Sequence, residues 1–560
     1  MPDPGSAASP AADLTAAEKV PRKRSQAVVV VHGMGEQRPM DTLRGFVQAV
    51  WSHDPARAPF YAHVADPADP MGAKINQSWI TPDSRTNSHE LRRITTPYDV
   101  DGRRTDFYEL YWADITQGTT RSRLAAWVTT LLWRKPADIP RDVRKLYVVT
   151  LLATIVVLGA ALALATSAWQ GYISWTTGVL VTVLASFVIW SVDQFGLPYF
   201  GDAAAYVRAE AATVEKRALV RERGLKLLKR LMVDDAYDRI VLVSHSLGSI
   251  IAYDLLQILW ADFRPRKLEA IRDRARLKAI HAVDKAMLAT DASAWPDRLD
   301  DLPTFRRGQW ELYRQLRDSD ADHPLPWKIS DFVTLGSPLT HSEFLVTYNL
   351  AEFRRGIAER LFSACPPIAD RAAGGTMLYQ EGRSHSGKPQ RAVHHGAMFA
   401  AMRWTNIFDR GNGWLTGDPI SGPMTENFGP GVENIQVELR GSLGRVFTHT
   451  LYWSLTASGV EANAPSGVPR SHLAVRAMRS ISAASWGTEL SVASNARQCC
   501  ADSSKQGPLR GNLRSGPSSL RRRSTIGQEN RFLVVALPAA KCCSRTGNES
   551  PDDQRQRANQ

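Results

Sequence analysis

The chain has 560 residues, 44% hydrophobic and sixteen of them Trp, which is ample for a sizeable core and excludes a chain that is disordered throughout. Its formal charge of +13 invites a nucleic-acid reading, but residues after 455 carry fifteen Lys or Arg against seven Asp or Glu and so supply about eight of the thirteen. No nucleic-acid motif accompanies that basic region, so no nucleic-acid partner is expected. Of the five cysteines only Cys365 lies outside it; the others form the adjacent pairs Cys499-Cys500 and Cys542-Cys543, which match no zinc spacing and argue against a disulfide-built secreted core.

Residues 1–25 read as a disordered leader without an apolar signal region. The first ordered element is expected at Ala27 to Val31, a run buried on both faces as in a parallel sheet. It runs into His32-Gly33-Met34-Gly35 and then an apolar-periodic helix from Thr42 to Trp51. Thr105 to Asp114 alternates as the next strand.

Two long uncharged runs follow, 147–169 and 172–192, each near the roughly 20 residues needed to cross a bilayer. Trp169, Tyr172, Trp175 and Trp190 stand near their ends, as interfacial aromatics do. The expectation is a transmembrane hairpin. Arg134, Lys135, Arg141, Arg144 and Lys145 precede it and its loop has no Lys or Arg, so the positive-inside rule sets both ends in the cytoplasm. An integral membrane protein of the cell inner membrane, with its catalytic domain cytoplasmic, is therefore expected.

Residues 202–231 form an amphipathic helix leading to Arg239–Leu256, RIVLVSHSLGSIIAYDLL. Four apolar residues, Ile240 to Val243, make a buried strand, Ser244-His245-Ser246-Leu247-Gly248 turns sharply, and an apolar helix follows. This is the strand–turn–helix context of a nucleophile elbow, where small residues two before and two after the nucleophile let strand and helix approach closely. Gly248 fits; Ser244 replaces the usual first glycine. The charged segment 264–322 reads as a helical cap over the site or as a plain solvated helical pair. Ile329 to Leu335 is a further strand, and Glu433 to Trp453 holds a strand followed by a loop with His449. Residues 454–560 lose periodicity and are expected to be a disordered basic tail.

A serine hydroxyl needs a base and an anion to orient that base. In the chain order Ser, Asp/Glu, His, the histidines His341, His385, His394 and His395 come too early, which leaves His449. For the acid, Asp331 begins its strand, the wrong end; Asp418 is preferred, with Asp409 as the alternative.

VHGMGEQ, SHSLG, TLGSPLTH, Trp404-Thr405-Asn406, Asp418-Pro419-Ile420 and His449-Thr450-Leu451-Tyr452-Trp453 together make the chain resemble an α/β-hydrolase of the lipase/esterase type, similar to bacterial membrane-associated serine hydrolases, over roughly 27–453. The resemblance implies an α/β fold over 26–453, a mostly parallel sheet with helices on both faces, interrupted by the hairpin and the cap. It implies Ser246 as nucleophile, Asp418 as acid, His449 as base, and the Met34 and Leu247 amides as oxyanion hole. The expected substrate is a carboxylic ester, lipid-like because of the membrane anchor, with no cofactor or metal. A non-catalytic scaffold holding a partner at the membrane, or a thioesterase or amidase using the same residues, are the alternatives.

Overall fold

A computed structural model describes residues 24–34, 38–54, 76–86, 90–99, 102–116, 211–266, 273–288, 301–318, 326–369, 377–411, 416–441 and 448–454, with scattered positions elsewhere. By contacts the chain divides into units 1–499 and 500–560, and every described residue belongs to the first. Residues 1–23 of the expected leader and almost all of the expected tail lie outside the described residues; the leader's last two, Arg24 and Ser25, already belong to a strand.

The elements in chain order are β1 (Arg24–Val31), α1 (Asp41–Val47) continued by a π-helical turn (Gln48–Ser52), β2 (Trp79–Pro82), β3 (Arg92–Thr95) and β4 (Arg103–Leu110). Then come α2 (Ala211–Val233), β5 (Arg239–His245), α3 (Gly248–Phe263), α4 (Arg274–Leu288), α5 (Leu302–Leu316) and β6 (Ile329–Leu335). The remainder is α6 (Leu350–Ala358), a separate hairpin of β7 (Leu378–Arg383) with β8 (Pro389–Val393), β9 (Arg403–Phe408) and β10 (Glu433–Gln436). Eight strands form one sheet in the order β10-β9-β6-β5-β1-β4-β3-β2. The six from β10 to β4 are parallel, and β3 and β2 complete one edge as antiparallel strands.

Strand alternation sorts the core into two layers. Ala27, Val29 and Val31 face one way with Ile240, Leu242, Phe332 and Trp404, under apolar side chains of α2, α3 and α5. Val28 and Val30 face the other way with Val241, Val243, Val333 and Ile407, under Leu43, Phe46 and Val47 of α1. Burial on both faces is why β1 and β5 are continuous apolar runs. From β1 the chain crosses to β4 on one side, and from β5 it proceeds to β6 and β9 on the other. A crevice opens at the carboxyl ends of strands where the order reverses in this way. Val31 pairs with Ser244 and with Leu110, so the loops after β1, β4 and β5 emerge level with one another.

At the opposite ends of the strands, Asp331 accepts hydrogen bonds from Arg239, Ser330 and Arg403. Arg239 also reaches Ser330 Oγ at 2.7 Å and Gln26 Oε1 at 3.1 Å. This buried cluster ties β1, β5, β6 and β9 together at the end remote from Ser246. Burial would raise the Asp331 carboxyl, but the Arg403 and Arg239 charges hold it well below the usual carboxylate range.

Two expectations need correction. Among the described residues no helix is long and apolar enough to cross a membrane, which overturns the transmembrane hairpin at 147–169 and 172–192 and the integral-membrane localisation built on it. Most of both runs lies outside the described residues. Where the approach to the first run is described, Arg134, Ile139 and Tyr147 pack on the chain itself, while Trp133 stands exposed. Ile139 and Phe344 form a small cluster with Tyr147 and Leu345 against it, and the Arg134 guanidinium lies 4.7 Å from the Phe344 ring centroid. The cytoplasmic orientation, the bilayer as partner and the argument for a lipid-like substrate all derived from that hairpin and lose their support with it.

The second concerns 264–322, read as a cap. Its helix α5 lies on the sheet: Phe305, Leu312, Tyr313 and Leu316 are buried in the larger core layer. Gln309 Nε2 donates to Phe399 O at 2.7 Å and Met402 O at 2.9 Å, and Tyr313 Oη donates to Asp238 O at 2.7 Å. An amphipathic helix of this kind buries its apolar stripe against whatever surface the crossover offers. Here that surface is β6 and β9.

Candidate active site

Ser246 follows directly on β5 with φ 52°, a left-handed conformation that non-glycine residues seldom adopt. Such strain persists only where the surroundings over-determine it. The Ser246 N–H donates to Leu335 O at 3.0 Å, and the Ser246 carbonyl accepts from Ser249 N at 2.9 Å and Ser249 Oγ at 2.6 Å. Gly248 is required sterically, because a Cβ there would stand 2.3 Å from His32 O and 2.6 Å from Val31 O. Ser244, in the other small-residue position, is fully buried and donates its hydroxyl to Val333 O at 3.2 Å. That bond satisfies the polar group that a glycine would not have brought.

The loop after β1 lies against the elbow. A Cβ on Gly33 would stand 2.9 Å from both Ser246 Cβ and His245 Nδ1. His32 anchors this loop from beneath. Its ring stacks on Trp112 at 4.9 Å and 4°, and its Nε2 accepts from Trp112 N at 3.1 Å. A backbone N–H can only donate, so the His32 proton sits on Nδ1 and is given to Gly33 O at 2.7 Å. Burial lowers His32 to about 4, so it stays neutral near pH 7. Among the described residues, neither the Met34 nor the Leu247 amide has an acceptor, and both belong to the two segments that meet beside Ser246.

The three residues inferred from chain order are in contact. His449 Nε2 lies 2.8 Å from Ser246 Oγ, and His449 Nδ1 lies 2.9 Å from Asp418 Oδ2. All three are at most 5% exposed. Ile420 N donates to Asp418 Oδ1 at 2.9 Å, and Tyr452 Oη donates to Asp418 Oδ2 at 2.8 Å. Burial alone would raise the Asp418 carboxyl; the His449 imidazole and the hydrogen bonds from His449 and Tyr452 outweigh it and bring it down to about 2. An ionised carboxylate only accepts, so His449 carries its proton on Nδ1 and offers the Nε2 lone pair to Ser246.

Asp409, the alternative acid, does not touch His449. Its carboxylate accepts from Thr448 Oγ1 at 2.7 Å, Leu439 N at 3.1 Å and Arg445 at 2.8 Å, and its carbonyl accepts from Asp418 N at 2.9 Å. It therefore anchors Thr448, the residue before His449, and the backbone of Asp418. Of the other histidines, His394 donates to Ile368 O at 2.8 Å, and His385 lies on the exposed turn between β7 and β8. His341 is buried in the helical turn after β6. None of the three bonds to Ser246.

Residues that sequence reasoning left without a role complete the site. His245 Nε2 donates to His449 O at 2.8 Å, and its ring packs against those of His449, Tyr452 and Trp453. Burial and the nearby His449 lower His245 to about 3, so it acts as a neutral strut. Gly336 ends β6 with φ +56°, and a Cβ there would stand 2.6 Å from the Tyr452 ring, 3.0 Å from Asp418 Oδ2 and 3.2 Å from His449 Nδ1. Gly336→Ala is expected to lower the rate of Ser246 chemistry roughly 10²-fold by displacing the imidazole, which stopped-flow labelling with an active-site probe would measure. The only advance signal for Gly336 was its place after a buried strand, in TLGSP.

Among the described residues no group of three or more His, Cys, Asp or Glu could hold a metal ion. No protein-family model, curated protein or solved structure matches the chain.

Proposed function

We propose that this chain is a serine hydrolase acting on carboxylic esters through an acyl-enzyme. The observation that carries the reading is the Ser246–His449–Asp418 relay, with bonds of 2.8 and 2.9 Å, on a serine held at φ 52°. His449 takes the Ser246 proton through Nε2 as Oγ attacks the ester carbonyl, and Asp418 holds the imidazolium that forms. The Met34 and Leu247 amides, on the two segments that meet beside Ser246, would receive the oxyanion, an interaction typically worth roughly 10²–10³ in rate per donor. His449 then returns its proton to the leaving alcohol. Water, activated by the same Nε2, releases the acid and restores Ser246.

A fluorophosphonate probe tests this. It should label the wild-type protein at one site and leave Ser246→Ala unlabelled. Equal labelling of both proteins, or of neither, would remove the proposal and favour a non-catalytic scaffold. Thioesters and amides meet the same geometry, and comparing matched ester, thioester and amide substrates separates them.

A further inference from the structure

Asp418 Oδ2 is shared. It accepts from His449 Nδ1 at 2.9 Å and from Tyr452 Oη at 2.8 Å. We propose that Tyr452 is a positioning residue that draws off part of the Asp418 charge and thereby sets how strongly His449 acts as base. This rests on the acyl-transfer reading above.

The hydroxyl is fully committed. A carboxylate accepts only, so the single Tyr452 proton points to Asp418. Its oxygen must then accept from Asp409 N at 3.1 Å and from Ser421 Oγ at 3.0 Å. The result is a chain, Ser421 O–H to Tyr452 O–H to Asp418 carboxylate, meeting the His449 N–H on one oxygen. Bonds in such a chain polarise one another, and each donor to a carboxylate disperses its charge. Tyr452 is fully buried, which pushes its phenol well above the usual range and keeps it a donor at any working pH. Gly336 lies directly against its ring. Base and donor also come from two consecutive turns, closed by Leu451 N to Thr448 O at 3.0 Å and Ser454 N to Leu451 O at 3.1 Å.

Removing the phenol oxygen leaves Oδ2 to His449 alone. The carboxylate charge then favours the imidazolium more strongly, so protonated, inactive enzyme persists to higher pH. The other groups around His449 do not confuse this. His245 and His32 stay neutral down to about 3 and about 4, and the Asp409 carboxylate bonds Thr448, Leu439 and Arg445 rather than His449. Glu109 of β4 is the exception near neutrality: burial raises it to about 7, although it binds the Met40 amide at 2.7 Å and not the relay.

The test is Tyr452→Phe, made in the wild type and in Glu109→Gln. One readout is the downfield proton signal of His449 Nδ1–H, identified by its loss in His449→Gln. The other is the acid limb of fluorophosphonate labelling. Tyr452→Phe should move the signal further downfield and shift the acid limb to higher pH by up to about one unit in both backgrounds. An unmoved or upfield signal in a folded variant, or no such signal in the wild type, overturns the proposal. If wild-type Ser246 is not labelled, the acyl-transfer reading fails while the proton signal still decides the role of Tyr452. If Tyr452→Phe does not fold, Ser421→Ala weakens the same chain from its far end: a smaller shift of the same sign supports the proposal, and none overturns it.

Discussion

Under the acyl-transfer proposal, Asp418→Asn should reduce ester turnover on the order of 10⁴-fold with the fold intact. Asparagine is nearly isosteric, and its carbonyl oxygen can still accept from Tyr452 or Ile420. Its amide, however, presents N–H where His449 Nδ1 now finds an acceptor. The imidazole would then carry its proton on Nε2, facing Ser246, and could not take the serine proton. Comparison with Asp409→Asn makes the test specific. Asp409 serves Thr448, Leu439 and Arg445, so its replacement should cost stability first and activity only through the displaced loop. A folded Asp409→Asn protein that is as inactive as Asp418→Asn is expected to be, beside an active Asp418→Asn, would reverse the assignment of the acid. Steady-state kinetics with circular dichroism on both variants decide it.

The largest effect on stability is expected far from the site. Asp331→Ala should cost about 3–5 kcal/mol, read as a lower urea midpoint, because it leaves a buried guanidinium without its counter-charge. The Arg239 and Asp331 side chains are 2% and 3% exposed, and Arg403 closes the cluster at 2.8 Å. The same pairing sets a pH dependence. Because the Asp331 carboxyl is held below its ordinary value in the folded state, its contribution is present above that value and is lost as pH falls below it. The Asp331→Ala protein should therefore lose less of its remaining stability on acidification. A variant within 1 kcal/mol of wild type, on the order of a single exposed ion pair, would show that the cluster contributes little.

Much of the sheet was legible because burial on both faces leaves a plain mark. β1 and β5 are runs of Val, Ile and Leu, and each ends in a short polar segment with glycine. The elbow was legible for a local reason as well: the small residue at 248 answers a clash with the carbonyls of Val31 and His32. Chain order then narrowed the base to one histidine. The acid was harder, since Asp409 and Asp418 both follow β9 and both are buried. Nothing in their neighbours states which one an imidazole thirty residues later will reach. Composition misled twice. Residues 147–192 carry the composition of a membrane span, and 264–322 the charge of an exposed cap, but composition does not say what an apolar surface will meet. In the described parts Tyr147 meets Phe344, and Phe305, Leu312, Tyr313 and Leu316 meet the sheet, while Val148, Leu152, Ile155, Leu162, Val179 and Val183 stand exposed.

What the sequence determined by itself is therefore local. A two-face-buried strand, a glycine where two backbones collide and a serine between them follow from residues within a few positions of one another, because sterics and hydrophobic periodicity act at that range. Only the tertiary structure decided that Asp418 and not Asp409 faces His449, that His245 props the His449 carbonyl, and that Tyr452 shares the acid's oxygen. Those outcomes depend on placing side chains from β5, β6 and two loops near β9 and β10 within hydrogen-bond range. Hydrogen bonds fail over a few tenths of an ångström, a precision that residue type and spacing do not carry.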